Sequence, residues 1–389
     1  MKSLSAALVS FLFFGVLSVG LAAAQITSAG SGAADTGIFS NPHTSGSGAA
    51  ASTMAVSTIA LRASSSTNVV SEMGGAFKNG SKCDADGNLY IRKQAMDRPL
   101  LGPVVKINPD GKRIAVFDPA AFSQLGLDRA DAFSPASDGG IYQIASQMLQ
   151  GQDGHLKQRI YVLHFASDGS ASPPTLLDAD FEVYTFAAFA GGSFLVSGVR
   201  RDALDENDHG RNFTAVFSAD GRELAQLSFP KTPGVARAGT KLDGHANSGG
   251  KESPKDVEPV APTLDLADAE VGREGNLYVM RASSPALIYV IAPSGQIMKA
   301  LKIAGPAADA VANGFHVSGN RLALSFWNED AESQLMVVVD AQTGRKIASY
   351  AKSSELGPSF ACYSADEGVF TFLRLGDGNS LEVIRAQPE

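Results

Sequence analysis

The chain has 389 residues, 44% hydrophobic and 19% charged, with a formal net charge of −8. That length supports a sizeable core, in one large domain or two ordinary ones. The acidic balance argues against nucleic acid or an anionic membrane as the main partner, because a polyanion selects a net basic surface.

Residues 1–24 read as a secretory signal peptide. One early cation, Lys2, precedes an apolar run from about Ala6 to Leu21, which ends in Ala22-Ala23-Ala24. A short apolar core closed by small residues is the pattern of a cleaved signal. The other reading of the same run is a retained anchor. No later stretch approaches the ~18 apolar residues that a span needs. The expectation is an exported protein, periplasmic or extracellular, with no membrane span after cleavage. Residues 25–54 are mostly Ser, Gly, Ala and Thr and read as a flexible tether.

From residue 55 to 389 the text is strand-like. Short runs of Val, Ile, Leu, Tyr and Phe alternate with Asp-Gly, Ser-Gly and Thr-Gly turns. Only Asp118–Ala130 suggests a helical turn. Residues 231–262 are poor in apolar side chains and rich in Gly, Pro and mixed charge; they read as a long mobile surface loop, or as a degenerate structural unit.

The pentapeptide GNLYI at Gly87–Ile91 returns as GNLYV at Gly275–Val279. Four further segments share its grammar, anchored near Gly139, Gly192, Gly319 and Glu367. Each copy has a weak strand, a turn, a strong strand, a variable gap, a third strand, a turn such as PDGK or ADGR, and a last strand. The anchors lie about 44 to 53 residues apart, except for a gap of 83 across the long loop. A four-stranded unit at this period predicts an all-β fold, a six-bladed β-propeller of antiparallel blades. One such sheet cannot hide both apolar faces, whereas neighbours packed face to face in a ring can. The sixth copy stops after three strands. The alternating segment Ala55–Arg62 precedes the first copy and has no unit of its own, so it is expected to supply the missing outer strand and close the ring.

The DG-N-L-Y-V step followed by a strand and a PDGK turn resembles the six-bladed propellers of the NHL-repeat and TolB-like class. Many NHL-type repeats carry an Asp soon after the Tyr-Val pair; this chain has Arg92-Lys93, Ile144-Ala145 and Met280-Arg281 there. The resemblance implies a ligand-binding platform, a protein-interaction module or, as in gluconolactonase-like members, a metal-dependent hydrolase.

Several residues stand out on this frame. Arg92 and Lys93, Arg200 and Arg201, Arg281 and Arg374 end second strands and would gather on one loop-rich rim. Convergent guanidinium groups suit an anionic small molecule, glycan or peptide; the plain reading is solubilising charge. Trp327, the only tryptophan, ends a second strand and would either stack on a ligand or cap a gap between blades. Asp205, Asn207 and His209-Gly210 faintly echo a calcium loop, but Val216 stands where a bidentate Glu belongs. No paired-histidine zinc motif occurs, and no cofactor is specified. His316, Asp131 and Glu270 fall on innermost strands. With Asn313, Asp131 and Glu270 are the candidates for a lactonase-type metal site. Cys83 and Cys362 fall near the ends of innermost strands in the first and last copies, which a closed ring makes neighbours. They either bridge those copies as a disulfide or stand too far apart. The favoured function is non-enzymatic binding of an anionic ligand or an envelope protein on the loop-rich face. The alternative is a secreted hydrolase acting at the channel mouth.

Overall fold

The structure, a computed structural model, describes residues 58–74, 77–94, 97–98, 100–150, 156–177, 181–200, 211–229, 236–237, 266–281, 283–307, 310–328, 333–376 and 380–389. The expectations for residues 1–54 and for Asp205–Gly210 lie outside these residues, as does nearly all of 231–262.

The first strand, β1 (Thr58–Asn68), leads into one short helical turn, α1 (Val70–Met73). Sheets then follow in chain order. β2 (Phe77–Cys83), β3 (Leu89–Lys93), β4 (Val104–Ile107) and β5 (Arg113–Phe117) form an antiparallel meander. A 3-10 segment over Pro119–Leu125 follows, capped by the Asp118 carboxylate on Ala120 N. Next come β6 (Arg129–Pro135), β7 (Ile141–Gln150), β8 (Leu156–Phe165) and β9 (Thr175–Leu177). β10 (Phe181–Ala188), β11 (Phe194–Arg200), β12 (Arg211–Phe217) and β13 (Glu223–Gln226) repeat the pattern.

Within the long loop, β14 (Ala236–Arg237) forms a two-residue ribbon with β17 (Ser283–Ser284). Around it, β15 (Leu266–Val271), β16 (Leu277–Arg281), β18 (Ala286–Ile291) and β19 (Ile297–Ile303) make the fourth sheet. The last two copies supply β20 (Val311–Ser318), β21 (Arg321–Asn328), β22 (Ser333–Asp340), β23 (Lys346–Lys352), β24 (Ser359–Ser364), β25 (Val369–Leu375) and β26 (Leu381–Pro388).

The fold is an all-β propeller, with one correction to the expected sheet count. Hydrogen bonding defines four separate four-stranded sheets and one eight-stranded sheet, not six separate blades. The cause is β1. From Leu61 to Asn68 it pairs antiparallel with β26, so an N-terminal strand does complete the last copy, but of the expected Ala55–Arg62 only Leu61 and Arg62 take part in that pairing. Its first residues also pair in parallel with β23, Thr58 opposite Ser349 and Leu61 opposite Lys352. One strand thereby joins the outer edges of the fifth and sixth copies and leaves neither edge open there.

The apolar cores lie between sheets. Tyr90 and Phe117 pack with Phe133 and Phe165 between the first two sheets. Equivalent clusters fill each later junction, and Leu89, Ile91, Leu373 and Leu381 close the last copy on the first. The innermost strands follow the same cyclic order, β2 beside β6, β6 beside β10, then β15, β20 and β24, which returns to β2.

The GNLY repeat is explained by its turn. Gly87 and Gly275 take φ of 75° and 80°, where an L side chain is strained. Each donates its N–H three residues back, to Asp84 O at 3.0 Å and Gly272 O at 2.9 Å. The leucine and tyrosine that follow point to opposite faces, each into a different inter-sheet cluster.

Candidate ligand-binding cavity

The innermost strands run side by side around a central space, so alternate side chains must face it. Several polar residues occupy such positions. Lys82 on β2, Asp268 and Glu270 on β15, and His316 on β20 are such residues. A cavity of about 590 Å³ opens where these strands turn into the second strands. Lys82, Glu270 and His316 form part of its wall, with Arg273, Asp86 and Asp366 on the surrounding turns. Asp268 lines a second, smaller space together with Glu270, Ser81 and Asn313.

The charges are organised in two linked pairs. Lys82 Nζ donates to Asp268 Oδ1 and, at 3.3 Å, to Ala269 O. Glu270 Oε2 stands 3.0 Å from His316 Nδ1 and accepts from Val317 N at 2.9 Å. Burial works to raise the Glu270 carboxyl, but His316, and then Lys82, hold it below the ordinary range. For Asp268, burial and the Glu270 charge prevail over Lys82, and the carboxyl is pushed up. Burial opposes the Lys82 ammonium, yet Asp268 and Glu270 raise it above its ordinary value. The wall therefore holds a firm cation at Lys82 and a firm anion at Glu270.

Asp84, at the rim, has a structural task. Its carboxylate accepts from Asp86 N, from Asn88 N at 2.9 Å and from the Tyr90 hydroxyl at 3.0 Å, and pairs with Lys106 at 3.2 Å. In the GNLYV copy Gly272 takes this place, and a Cβ there would meet the Tyr278 ring at 2.5 Å. The two copies thus share a turn but fasten the tyrosine differently.

Cys83 and Cys362 are joined as a disulfide with Cα atoms 5.8 Å apart. The bond links β2 to β24, and Cys83 lies in the cavity wall. His316 is beside it: one ligand atom from each of Cys83, Cys362 and His316 lies within 4.8 Å of the others, and all three residues are buried.

The sequence-derived rim residues sit elsewhere. Arg92, Arg200, Arg281, Arg374 and Trp327 stand at the far ends of β3, β11, β16, β25 and β21, away from the turns that surround the cavity. Arg92 is buried, donates to Gly102 O at 2.9 Å and lies 5.3 Å over the Phe133 ring. Burial lowers its pKa to about 10, with Asp131 acting the other way. Arg200 pairs with Glu223 and lies 5.0 Å over Phe213. Arg374 pairs with Glu382 and donates to Glu355 O at 2.6 Å. Arg200 and Arg374 are thus paired inside their own blades, whereas the carboxylate nearest in effect to Arg92, Asp131, belongs to β6 of the next sheet. Trp327 is 42% exposed.

The hydrolase candidates do not assemble. Asp131 pairs with Arg129 at 2.6 Å and lines a different space from Glu270. Glu270 and Asn313 do share a recess, but among the described residues no carboxylate group there forms a three-ligand set. Lys82 and Asp268 carry no motif. Their signal in the sequence is the spacing: Asp268 and Glu270, two apart on one strand, must face the same side.

No protein-family model matches the chain, and no curated protein matches it. Solved structures resemble it at low identity. A protein of unknown function from Bacteroides caccae is 11% identical, with TM-score 0.39, over 71% of this chain and 81% of that chain. The Dos1 propeller is 11% identical, with TM-score 0.37, over 77% and 74%. A glucose dehydrogenase is 10% identical, with TM-score 0.39, over 84% and 98%. At this level no activity passes from those proteins to this chain.

Proposed function

We propose that this chain is an exported six-bladed propeller that binds a small polar ligand in its central cavity without chemical turnover. The six-blade reading counts the eight-stranded sheet as two blades joined by β1. Export rests on the apolar run and small-residue end of residues 1–24. The binding reading rests on one observation above all: Lys82, Glu270 and His316, from three different sheets, bring ionised and hydrogen-bonding groups into the wall of one 590 Å³ cavity. Burying such groups is costly, and apolar residues would pack this space with equal or greater stability. A concave site of this volume with a few convergent polar groups is the common form of a small-molecule site. The adjacent cation and anion favour a ligand carrying both signs, or a neutral polyol that donates and accepts.

The test is a thermal-shift screen of the full chain against amino acids, polyols, sugars and small carboxylic acids. Ala85 is exposed at the cavity mouth, so Ala85→Trp obstructs entry while sparing the core. Stabilisation of the wild type by one class, lost in Ala85→Trp, supports the reading. Equal shifts in both proteins, or none across the panel, contradict it.

A further inference from the structure

The disulfide has an unusual neighbour. Cys83 and Cys362 fasten the first copy to the last, a task that needs no polar company. Yet His316, buried on a third strand, presents a ring nitrogen to the same point. The three ligand atoms lie within 4.8 Å of one another. Glu270 Oε2 stands 3.0 Å from His316 Nδ1. A carboxylate on one nitrogen is the support that metal-bound imidazoles usually have, because it fixes the ring and its tautomer.

We propose that Cys83, Cys362 and His316 form a redox-gated site for a thiophilic divalent cation such as Zn²⁺. The oxidised protein holds the disulfide and binds no metal there. A dithiol reductant delivers two electrons and two protons to the S–S bond, which breaks to two thiols while the reductant closes to its own disulfide. The cation then displaces the two thiol protons into solvent. Two thiolates and a neutral imidazole balance its charge and leave a fourth position for water or a cavity-bound ligand. Tetrahedral zinc places its sulfurs roughly 3.8 Å apart, so the thiolates separate by small side-chain rotations on strands that stay in place. A small-molecule disulfide reverses the step: it accepts the two electrons, takes two protons from solvent and leaves as two thiols, while the S–S bond re-forms and the ion is released.

The test is a Co²⁺ titration of the full chain, reduced anaerobically with a phosphine, with circular dichroism to verify the fold. The reduced wild type should bind one equivalent, with thiolate-to-cobalt charge-transfer absorption and tetrahedral visible bands. The oxidised protein should show neither. Cys83→Ser combined with Cys362→Ser should abolish the charge-transfer band, and His316→Ala should weaken binding at least about 10-fold. Glu270→Gln should weaken it by about 10-fold or more through the ring it positions. The proposal is overturned by absence of the band in the folded, reduced wild type, or by loss of the fold on reduction. Undiminished binding in His316→Ala overturns it equally.

Discussion

Glu270 and His316 meet across a blade junction, Oε2 to Nδ1 at 3.0 Å, with Glu270 on β15 and His316 on β20. The contact fastens two innermost strands and sets the charge of the cavity wall. Its sign fixes a pH dependence. Burial, which raises the Glu270 carboxyl, is outweighed by His316, so the folded-state pKa lies below the ordinary 4.5. A depressed carboxyl stabilises the fold fully above that ordinary value, and the contribution is lost as pH falls through the folded value.

Glu270→Gln should therefore lower stability by about 1–3 kcal/mol at about pH 7 and by much less at about pH 3. Denaturant melts of both proteins at the two pH values measure this. A gap that stays constant or widens in acid contradicts the assignment.

Asp84→Ala removes the acceptor of two backbone N–H groups, the Tyr90 hydroxyl and the buried Lys106 ammonium together. The expected cost is about 3–5 kcal/mol, because Lys106 is left as a buried, unpaired charge. Adding Lys106→Met should recover part of that loss in urea melts; two additive penalties would show that the pair does not act as a unit.

Removal of β1 leaves unpaired edges on both β23 and β26 and withdraws Leu61, 2% exposed, from the core it shares with Met336 and Ile384. Leu61→Ala should cost about 2–4 kcal/mol. Hydrogen exchange should show the amides of β1 as protected as those of β26. Fast exchange along β1 would place that strand outside the sheet.

The disulfide closes a sequence separation of 279 residues. The chain-entropy model credits so long a loop with ~4–5 kcal/mol at most. Cys83→Ala with Cys362→Ala should melt earlier than the wild type. Intact wild type should gain the mass of two hydrogens on reduction, and no gain would mean that no bond had formed.

Much of this frame is legible in the residues themselves. The GNLY turns, the alternating Ala55–Arg62 segment and the shortened last copy follow from local rules: glycine at positive φ, period-two alternation, and the need to cover a sheet edge. The joining of β1 to β23 was not legible, because parallel pairing leaves no turn signature. Glu270 and His316 stand out as polar residues on inner strands. For Arg92, Arg200 and Arg374 the sequence gives position along a strand but not the partner across it; Gly102, Glu223 and Glu382 are brought to them only by the fold. Lys82 and Asp268 pass unnoticed for the same reason, being 186 residues apart and paired only across the central channel.

The most direct measurement is a calorimetric titration of the strongest ligand from the screen into wild type, Glu270→Gln and His316→Ala, each verified as folded. A cavity site walled by these side chains predicts saturable one-to-one binding to the wild type, weakened at least about 10-fold by either substitution, roughly 1.4 kcal/mol. Unchanged affinity in both variants would place the ligand elsewhere on the propeller.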